Sequence, residues 1–470
     1  MTTAMVLCCS LCLTAMIAWV EIRRGHVRGQ LDFLRAANVV YLMCFGIAPA
    51  YLQFADPRVL RQMLWGWTLR TPFTDEVFAL ASIMSLGAYP FLLLGYRLAA
   101  ARRPRALSAA PFAGPGYLWV AGLGIGVVGL VSLITYAMSV GGWGVFIFEA
   151  LAFRGNDPPV VSRVAFLTNT APLVIGAVLV FFALRQYHAR GLVRLAASLC
   201  CALFFGASLV ILFHQAGRAA FVAFLVLLPL TVAVQRNRLT WTQVLLGASI
   251  FFVLVVFGRV FFQAARDPGL LLRSASGLEN IGETLRSVVL EFSFPIVTLA
   301  NAIRNLPEVT PLRWFVDFPL AVEYLIPQRI TGLVHAPTVS MVNTAIFQGT
   351  GGIPVDVLSL GYYSALLPGA ILTVTALGAV IGAGERWLPA SPDPLRAGLR
   401  VAWLMVIALR IMYADPQLFW RSGLYLLITT GVVLLPAVLR RMLPLIPRRP
   451  SIAAAAGGEA VHLLPGEGAR

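Results

Sequence analysis

The stretch HQAGRAAF, residues 214–221, places His214 and Arg218 between two apolar runs with no polar loop around them. Such runs are typical of membrane helices, and a charged group at membrane depth costs about 2.5–3.5 kcal/mol on insertion scales. It therefore tends to face the interior of a helix bundle or a polar cavity. An arginine there can hold a phosphate or carboxylate through two parallel hydrogen bonds, because its guanidinium stays charged when buried. The alternative is that Arg218 reaches lipid headgroups and that Gly217 only makes the turn.

Other arginines share this setting, beside apolar or proline-rich sequence at what we predict to be the outer ends of membrane helices. Arg154 lies in LAFRGNDPP, Arg329 lies in YLIPQRITG, and Arg410 and Arg421 lie at the outer ends of the last two apolar runs. Together with Arg218 they form a set that an anionic, lipid-linked substrate at the membrane face would need. Taken one at a time, each arginine could instead form a salt bridge or contact a headgroup.

Candidate proton acceptors on the same side are the two external histidines and the nearest carboxylates, namely His214, His335, Glu291, Glu323 and Asp356. Such groups are more often capping or hydrogen-bonded structural residues than catalysts. The chain has no DxD, no HExxH and no Walker loop, so nucleotide-sugar binding through a metal and ATP-driven transport lack their usual residues. The sequence therefore favours metal-independent chemistry, and we expect no cofactor.

The composition predicts the framework that positions these residues. The 470-residue chain is 59% hydrophobic and 12% charged, and its mean hydropathy is +0.83. Continuous apolar runs broken by arginine clusters are typical of a polytopic α-helical membrane protein. A transmembrane β-barrel would show alternating segments of about ten residues, and a soluble chain would carry roughly twice the charge. The predicted fold class is therefore an all-α polytopic membrane protein.

We predict about 11 transmembrane helices with a large external loop between the eighth and ninth. The predicted spans are 3–20, 32–54, 75–96, 117–140, 163–184, 195–213, 219–234, 243–262, 361–382, 397–413 and 420–438. All six cysteines fall inside these spans, so disulfides are not expected. Cys9 and Cys12 form a CxxC in an apolar helix without a nearby histidine or carboxylate, which favours packing over metal binding.

Basic residues, all of them arginine, indicate the orientation of the spans. They cluster after the first, third, fifth, seventh, ninth and eleventh spans, for example Arg23 and Arg24, Arg102 and Arg103, Arg236 and Arg238, or Arg440 and Arg441. Because positive residues are retained in cytoplasmic loops, the N-terminus is predicted outside and the C-terminus in the cytoplasm. The net charge of +16 is then a signal of topology, and no nucleic-acid partner is expected because no separate domain carries the arginines.

The chain is expected to divide at its loops. Residues 1–262 contain spans one to eight, with a smaller external loop at residues 141–162. Residues 263–360 form an external loop with short helices. Residues 361–438 contain spans nine to eleven, and residues 439–470 form a cytoplasmic tail. WGVFIFEALAF in the smaller loop could form a re-entrant or interfacial helix. In the larger loop Leu278, Ile281, Leu285, Val288 and Phe292 make one apolar stripe of a helix.

Several of these features together resemble a known family. They are the GR turn that opens a helix, the large external loop with its IPQRI piece, and NTAIFQGTGGIPVDVLSLGYYSALLPGAIL entering the next span. Over roughly residues 140–385 the pattern resembles the oligosaccharide repeat-unit polymerases, the O-antigen polymerase (Wzy-type) family. The resemblance implies an architecture similar to the metal-independent, GT-C-like polymerases and ligases, in the bacterial inner membrane.

The same resemblance implies a glycosyltransferase. Its substrate would be a glycan linked to undecaprenyl pyrophosphate, and it would polymerise repeat units of O-antigen or exopolysaccharide outside the inner membrane. By position, Arg154 and Arg329 match the functional arginines of two external loops, and Arg218 matches the arginine of the tight turn. The implied catalytic residues are Arg218, Arg329, His335 and Glu291, and the implied pyrophosphate ligands are Arg154, Arg218, Arg329, Arg410, Arg421 and His214. Further partners would be membrane lipid, a chain-length regulator and a flippase.

Three other functions stay open at this stage. An O-antigen ligase would share the chemistry but use lipid A core as the acceptor. A polysaccharide flippase or other transporter usually shows internal repeats and polar residues near the bilayer midplane. Here the mid-span positions are almost free of ionisable groups, and the candidate functional residues lie in external loops. A non-catalytic scaffold is the third.

Overall fold

Helices are the regular secondary structure in the part of the chain that the structure describes. The structure is a computed structural model, and it describes residues 2–24, 31–55, 76–101, 114–148, 150, 162–188, 190–215, 217–238, 240–243, 245–251, 253, 289–326, 332, 335–347 and 353–442. In chain order the helices are α1 (Thr2–Arg23), α2 (Phe33–Leu52, with a π-turn at Met43–Ile47), α3 (Glu76–Ala100), α4 (Pro115–Ser139), α5 (Trp143–Phe148), α6 (Leu167–Tyr187), α7 (Leu192–His214), α8 (Arg218–Gln235), α9 (Trp241–Phe251), α10 (Phe294–Asn305), α11 (Asp317–Glu323), α12 (Val339–Phe347), α13 (Val357–Trp387), α14 (Pro394–Ala408) and α15 (Pro416–Met442).

Within those residues, nine helices are long and apolar enough to cross a membrane: α1 to α4, α6 to α8, α13 and α15. They agree with nine of the predicted spans, and the chain is a multi-pass membrane protein by this criterion. The predicted eighth span, 243–262, lies mostly outside the described residues, which hold only α9 at its start.

The helix found at the predicted tenth span, 397–413, is α14, and it is shorter than a membrane span. Asp393 caps the start of α14 by accepting a hydrogen bond from the backbone N–H of Arg396 (2.8 Å), and the chain tightens into a 3-10 turn at Leu409–Ile411. The 15 residues of α14 reach roughly 22 Å at 1.5 Å per residue, less than the ~30 Å of a bilayer core.

Helix α13 folds back on itself. The backbone leaves helical geometry at Ala365 (φ −155°) and Leu366 (φ 52°). A Cβ on Gly361 would overlap the carbonyl oxygen of Gly369, so the two backbones touch and only glycine fits. Thr373 Oγ1 donates to the carbonyl of Val357 (2.9 Å), so the first residue of α13 lies beside a residue far along the same helix. The predicted ninth span, 361–382, lies within α13, and the break at Ala365 and Leu366 falls near the start of that span.

The broken end of α13 is closed by the segment before α11. The carbonyl of Tyr363 accepts a hydrogen bond from the N–H of Arg313, and the carbonyl of Ser364 accepts one from the N–H of Trp314, both at 2.9 Å. Carbonyls at a helix end need such partners because water is scarce inside a membrane protein. The sharp turn within α13 is thus tied to residues from the predicted large external loop.

Part of that loop lies inside the bundle. Ten of the 12 residues of α10 are buried, and its apolar side chains belong to the same core as those of α3 and α13. Of the predicted amphipathic stripe, Phe292 is described, whereas Leu278, Ile281, Leu285 and Val288 lie outside the described residues. Glycines and alanines elsewhere bring helices close, as at Gly378, where a Cβ would overlap the carbonyl oxygen of Leu92.

The buried apolar side chains form two clusters that α14 joins. One contains α1, α2, α3, α10 and α13, and the other contains α4, α6, α7, α8 and α15. Leu404 and Ile407 of α14 belong to the first cluster, and Leu395 and Leu399 belong to the second. Helix α14 therefore packs at the centre of the bundle, although it is too short to be a simple span.

Hydrogen bonds between helix ends show which ends share a side. Glu385 at the end of α13 accepts from the N–H of Phe33 at the start of α2 (3.1 Å). Tyr187 at the end of α6 donates to Asp393, the cap of α14 (2.7 Å). Several of the predicted cytoplasmic arginines lie here, so we call this the basic end of the bundle. The ends of α4, α7 and α14 lie at the opposite end, as the alternation of basic loops predicts.

A charged network holds the basic end together. Arg24 contacts Glu21 (3.2 Å) and Asp32 (3.1 Å), and Arg35 contacts the other oxygen of Glu21 (3.1 Å). Separately, Arg400 of α14 is 2% exposed, and its guanidinium bonds to Glu385 (2.6 Å) and to the carbonyl of Leu388. Arginines that indicate topology in the sequence therefore also link α1, α2, α13 and α14.

Breaking the Arg400–Glu385 pair should destabilise the protein. Removing one partner of a buried ion pair costs about 3–5 kcal/mol because the other charge stays buried and unpaired. The Glu385 side chain is 24% exposed. We therefore expect Glu385→Ala to decrease the free energy of unfolding by an amount near the lower end of that range. Unfolding in detergent, followed by circular dichroism, measures the change. Glu76→Ala, at an exposed position in the first turn of α3, is the control, and equal stability of the two variants would contradict the assignment.

The predicted orientation can be tested at two exposed, described positions. We expect a cysteine at Glu308 to face the outside and a cysteine at Arg190 to face the cytoplasm, in a variant whose native cysteines are replaced by alanine. An impermeant maleimide added to intact cells should then label position 308 alone, and position 190 only after permeabilisation. Labelling of both positions in intact cells would contradict the topology.

Candidate functional site

The GR turn joins two helices at the end opposite the basic end. Helix α7 ends at His214 and α8 begins at Arg218, with Gly217 as its N-cap residue. The carbonyl of Gly217 accepts the N–H of Phe221 (2.9 Å), but glycine has no side chain to cap the first backbone N–H groups of α8. Those N–H groups make this helix start favourable for negative charge. The tight turn predicted from the sequence is confirmed.

Arg218 is held in place by a carboxylate from a distant part of the chain. Its Nη2 lies 2.5 Å from Oε1 of Glu291, and the two side chains are 13% and 28% exposed. Glu291 lies in the turn before α10, where Phe292 and Ser293 bond back to Val289 and Leu290. Two residues that the resemblance marks as catalytic, Arg218 and Glu291, are thus in direct contact.

His214 is a packed residue at the same turn. It is 3% exposed, and its Nδ1 lies 2.8 Å from the carbonyl oxygen of Phe146. The imidazole stacks on the Phe146 ring at 4.0 Å and meets the edge of Tyr136 at 5.4 Å. His214 therefore fixes α5 against α4 and α7, and in this arrangement it supports the turn that carries Arg218.

His335 is oriented by a carboxylate. Its Nδ1 lies 2.8 Å from Oε1 of Glu323, and the Tyr324 ring packs on it at 4.4 Å. The Tyr324 hydroxyl donates to the carbonyl of Ala336 (2.9 Å), which keeps the histidine segment against α11. A carboxylate that binds one nitrogen of an imidazole fixes its orientation, and this arrangement suits a proton acceptor.

A second ion pair beside it was not singled out in the sequence. Arg313 makes two bonds to Asp317, at 2.6 and 2.7 Å, and a third to the carbonyl of Pro337 (2.8 Å). Asp317 also accepts the N–H of Val339 (2.8 Å) at the start of α12. The i,i+4 spacing of Arg313 and Asp317 is the feature of the sequence that could have predicted this ion pair. This pair joins α11 to α12 and supports the segment that carries His335.

Arg410 and Arg421 lie around the junction of α14 and α15. Arg410 donates through Nε to the carbonyl of Val406 (3.1 Å) and through Nη2 to Ser422 (3.2 Å). Its guanidinium lies 5.7 Å from the centre of the Phe419 ring. Arg421 donates to the side-chain oxygen of Asn169 at 3.4 Å. Arg410 and Arg421, which are among the predicted pyrophosphate ligands, therefore lie at the same end of the bundle as Arg218.

Asp415, between these arginines in sequence, was missed by the sequence analysis. It is 1% exposed, and its Oδ1 accepts the N–H of Gln417 (2.9 Å) as the cap of α15. Its charge interacts with those of Arg410 and Arg421. In the sequence, Asp415 lies in ADPQ, a pattern that indicates an ordinary helix cap followed by proline.

Tyrosines connect these groups into one neighbourhood. Tyr324, which packs on His335, is close enough to Asp415 and Arg421 for their charges to act on it. Burial raises the pKa of the Tyr324 phenol above its ordinary value, and Asp415 raises it further while Arg421 opposes the shift. Tyr136, which packs on His214, likewise interacts with Arg421. Tyr136 therefore packs at the GR turn and lies within electrostatic reach of Arg421 in α15.

Two of the predicted site residues, Arg154 and Arg329, lie outside the described residues. In the part of the chain that the structure describes, no three His, Cys, Asp or Glu side chains come together as a metal-binding group. Comparison of the chain with protein-family models, with curated proteins and with solved structures gave no match.

Proposed function

We propose that this protein is a lipid-linked glycan polymerase of the bacterial inner membrane. It transfers a growing glycan from undecaprenyl pyrophosphate to the terminal sugar of a second lipid-linked repeat unit, at the outer face of the membrane. The product is an O-antigen or an exopolysaccharide.

One observation carries the proposal: Arg218, at the first position of α8, is 13% exposed and held 2.5 Å from Glu291. A guanidinium held at a helix N-terminus by a carboxylate is a preorganised donor for an anion. The anion in a lipid-linked glycan is the pyrophosphate, which lies at the depth of a helix end because its isoprenoid tail lies in the bilayer.

The chemistry needs a cation at the leaving group. When the bond between the glycan and the pyrophosphate breaks, negative charge grows on the departing phosphate oxygen. Fixed guanidinium groups stabilise that charge without reorganising at the moment of reaction. Arg218 and Arg421 supply such groups among the described residues, and Arg154 and Arg329 would add to them from the external segments. His335, oriented by Glu323 at 2.8 Å, is suited to move a proton.

A transporter is the second candidate, because α13 is interrupted at Ala365 and Leu366. Interrupted membrane helices commonly line the substrate sites of transporters. A ligase that uses lipid A core as the acceptor would share the site of the proposed polymerase. A polymerase, a ligase and a transporter differ in what each does with the same lipid-linked repeat unit.

Reconstitution of the purified protein in lipid vesicles distinguishes these three functions. Purified protein in lipid vesicles would be given lipid-linked single repeat units, extracted from cells of the source strain that lack this protein. We expect a ladder of lipid-linked glycans of two or more units. Unchanged single units that appear on the other side of the membrane would support a transporter. Glycan joined only to added lipid A core would support a ligase.

A further inference from the structure

The chain between α10 and α12 presents an apolar surface. Within residues 309–326, which we call the apolar segment, every exposed residue is apolar, and the large ones are Val309, Trp314, Val316, Phe318, Val322 and Ile326. Trp314 is 72% exposed, and Phe318 and Val322 are each 48% exposed. A surface that faces water normally mixes charged and apolar residues, so an exposed surface of this composition indicates contact with something apolar.

The charged side chains of the apolar segment bond to protein partners. Arg313 bonds to Asp317 at 2.6 and 2.7 Å, and Glu323 lies 2.8 Å from Nδ1 of His335. Glu308, the residue before the segment, is charged and exposed. Exposed charge therefore stops at residue 308, and the exposed surface from residue 309 to residue 326 is apolar.

The exposed and the buried residues of α11 lie on different faces of the helix. Phe318 and Val322, four residues apart, are exposed, whereas Asp317 and Ala321, also four residues apart, are buried. Residues four apart share one face of a helix. Because α11 packs against α15, one face is turned to the protein, and the face of Phe318 and Val322 is turned away from it.

The backbone before α11 adopts a strained turn that exposes Trp314. The φ angles of Trp314 and Phe315 are 51° and 61°, in the left-handed region that large side chains rarely adopt. The N–H groups of Arg313 and Trp314 bond to the carbonyls of Tyr363 and Ser364, both at 2.9 Å, and hold this turn. An indole ring is normally buried because water solvates it poorly. A strained turn that keeps the ring outside the protein is explained if the ring meets an apolar phase.

The apolar segment is fixed to two membrane helices at the end opposite the basic end. Ser364, which accepts the N–H of Trp314, lies in α13, and Leu367, three residues later, is 49% exposed. At the other end of the segment, Tyr324 lies within electrostatic reach of Arg421, near the start of α15. Both α13 and α15 are long and apolar enough to cross a membrane. The exposed face of the segment therefore continues the surface that these helices present to lipid.

We propose that the apolar segment is an interfacial anchor, with Trp314, Phe318 and Val322 lying in the outer leaflet of the bilayer. Tryptophan is enriched at the boundary between lipid and water, and an apolar helix face turned outward beside membrane helices is typical of an interfacial segment. A protein partner would need a polar rim around the apolar centre, whereas the exposed residues here are all apolar. The anchor goes beyond the proposed function and does not depend on it. Because Glu323 of α11 holds His335, the anchor also sets the height of this histidine relative to the lipid surface.

Spin labels test the anchor at two independent positions. Phe318→Cys and Val322→Cys, in a variant whose native cysteines are replaced by alanine, would be labelled with a nitroxide and reconstituted in vesicles of phosphatidylethanolamine and phosphatidylglycerol. Relaxation of the nitroxide by oxygen, which concentrates in the bilayer, is compared with relaxation by nickel–EDDA, which stays in water. Leu372→Cys, at a 57% exposed position of α13, is the lipid control, and Glu308→Cys is the water control.

We expect oxygen to be the stronger relaxing agent at positions 318, 322 and 372, and nickel–EDDA to be the stronger one at position 308. Stronger relaxation by nickel–EDDA at position 318 or 322 would show that this face meets water. Weak relaxation by both agents would show that protein covers it. Either result would overturn the anchor.

A second measurement needs no cysteine. The chain has 10 tryptophans, so the emission of Trp314 is obtained as the difference between wild type and Trp314→Phe, which keeps an aromatic ring at this position. In vesicles of lipids brominated on their acyl chains, we expect most of this difference emission to be lost. Unchanged difference emission in the brominated lipid would overturn the anchor. Neither measurement requires catalytic activity, so a failure of the anchor and a failure of the proposed function are distinguishable.

Discussion

Replacing Arg218 by alanine is expected to abolish polymerisation while the protein still folds and inserts. Removing one preorganised donor from a developing negative charge typically costs 10²–10³ in kcat. Arg218 is also the partner of Glu291 (2.5 Å), so the variant leaves a carboxylate at the place where the pyrophosphate would bind. We therefore expect a loss of at least about 1000-fold, measured as product ladders at matched amounts of folded protein.

Lysine at position 218 is the matched comparison. It keeps the positive charge but loses the planar fork that binds two oxygens at once, so we expect activity between those of alanine and wild type. If Arg218 only contacted lipid headgroups, lysine would be nearly normal and alanine would show a mild loss. An active Arg218→Ala protein would end the proposal for this residue.

Exchanging the two charges should restore folding but not activity. Arg218→Glu alone would place two carboxylates together, and Glu291→Arg alone would place two guanidiniums together, so each single change should destabilise the protein. The double variant Arg218→Glu, Glu291→Arg pairs opposite charges again, and we expect its thermal stability to return close to that of wild type. The cation, however, no longer lies at the N-terminus of α8.

The expected activity of the double variant separates a structural pair from a functional one. If Arg218 positions the pyrophosphate, product formation should stay at least about 100-fold below wild type although the protein is stable. Thermal unfolding and product ladders on the same preparation measure both quantities. Recovery of activity together with stability would mean that the pair serves the fold alone.

Most of the membrane helices could be predicted from the sequence, because hydrophobic runs must form helices where no water can satisfy the backbone. The turn between His214 and Arg218 was also predictable, since two apolar runs meet there with only Gln215, Ala216 and Gly217 between these residues. The break in α13 was not, because glycine and proline are tolerated in straight membrane helices. Gly361 and Gly369 show their role only when their backbones touch, because a Cβ on either residue would overlap the carbonyl oxygen of the other.

Pairing of charges depends on contacts that sequence spacing does not reveal. Arg400 was predictable as a basic residue near a helix start, but its partner Glu385 and the carbonyl of Leu388 follow from how α13 meets α14. Arg218 and Glu291 both stood out as candidates, yet nothing in their positions indicated that they touch. Asp415 was hidden for a different reason, since a helix cap before proline has an ordinary structural explanation.

Transfer of glycan from a pyrophosphate carrier releases that carrier, so the carrier product can be measured together with the new glycosidic bonds. In vesicles that contain wild-type protein and radiolabelled lipid-linked repeat units, free undecaprenyl pyrophosphate and new glycosidic bonds would be counted in the same samples over time. We predict one carrier pyrophosphate released for each bond formed, and neither product with Arg218→Ala. Movement of intact lipid-linked units across the membrane, with no carrier released and no bond formed, would show that the protein is a transporter and not a polymerase.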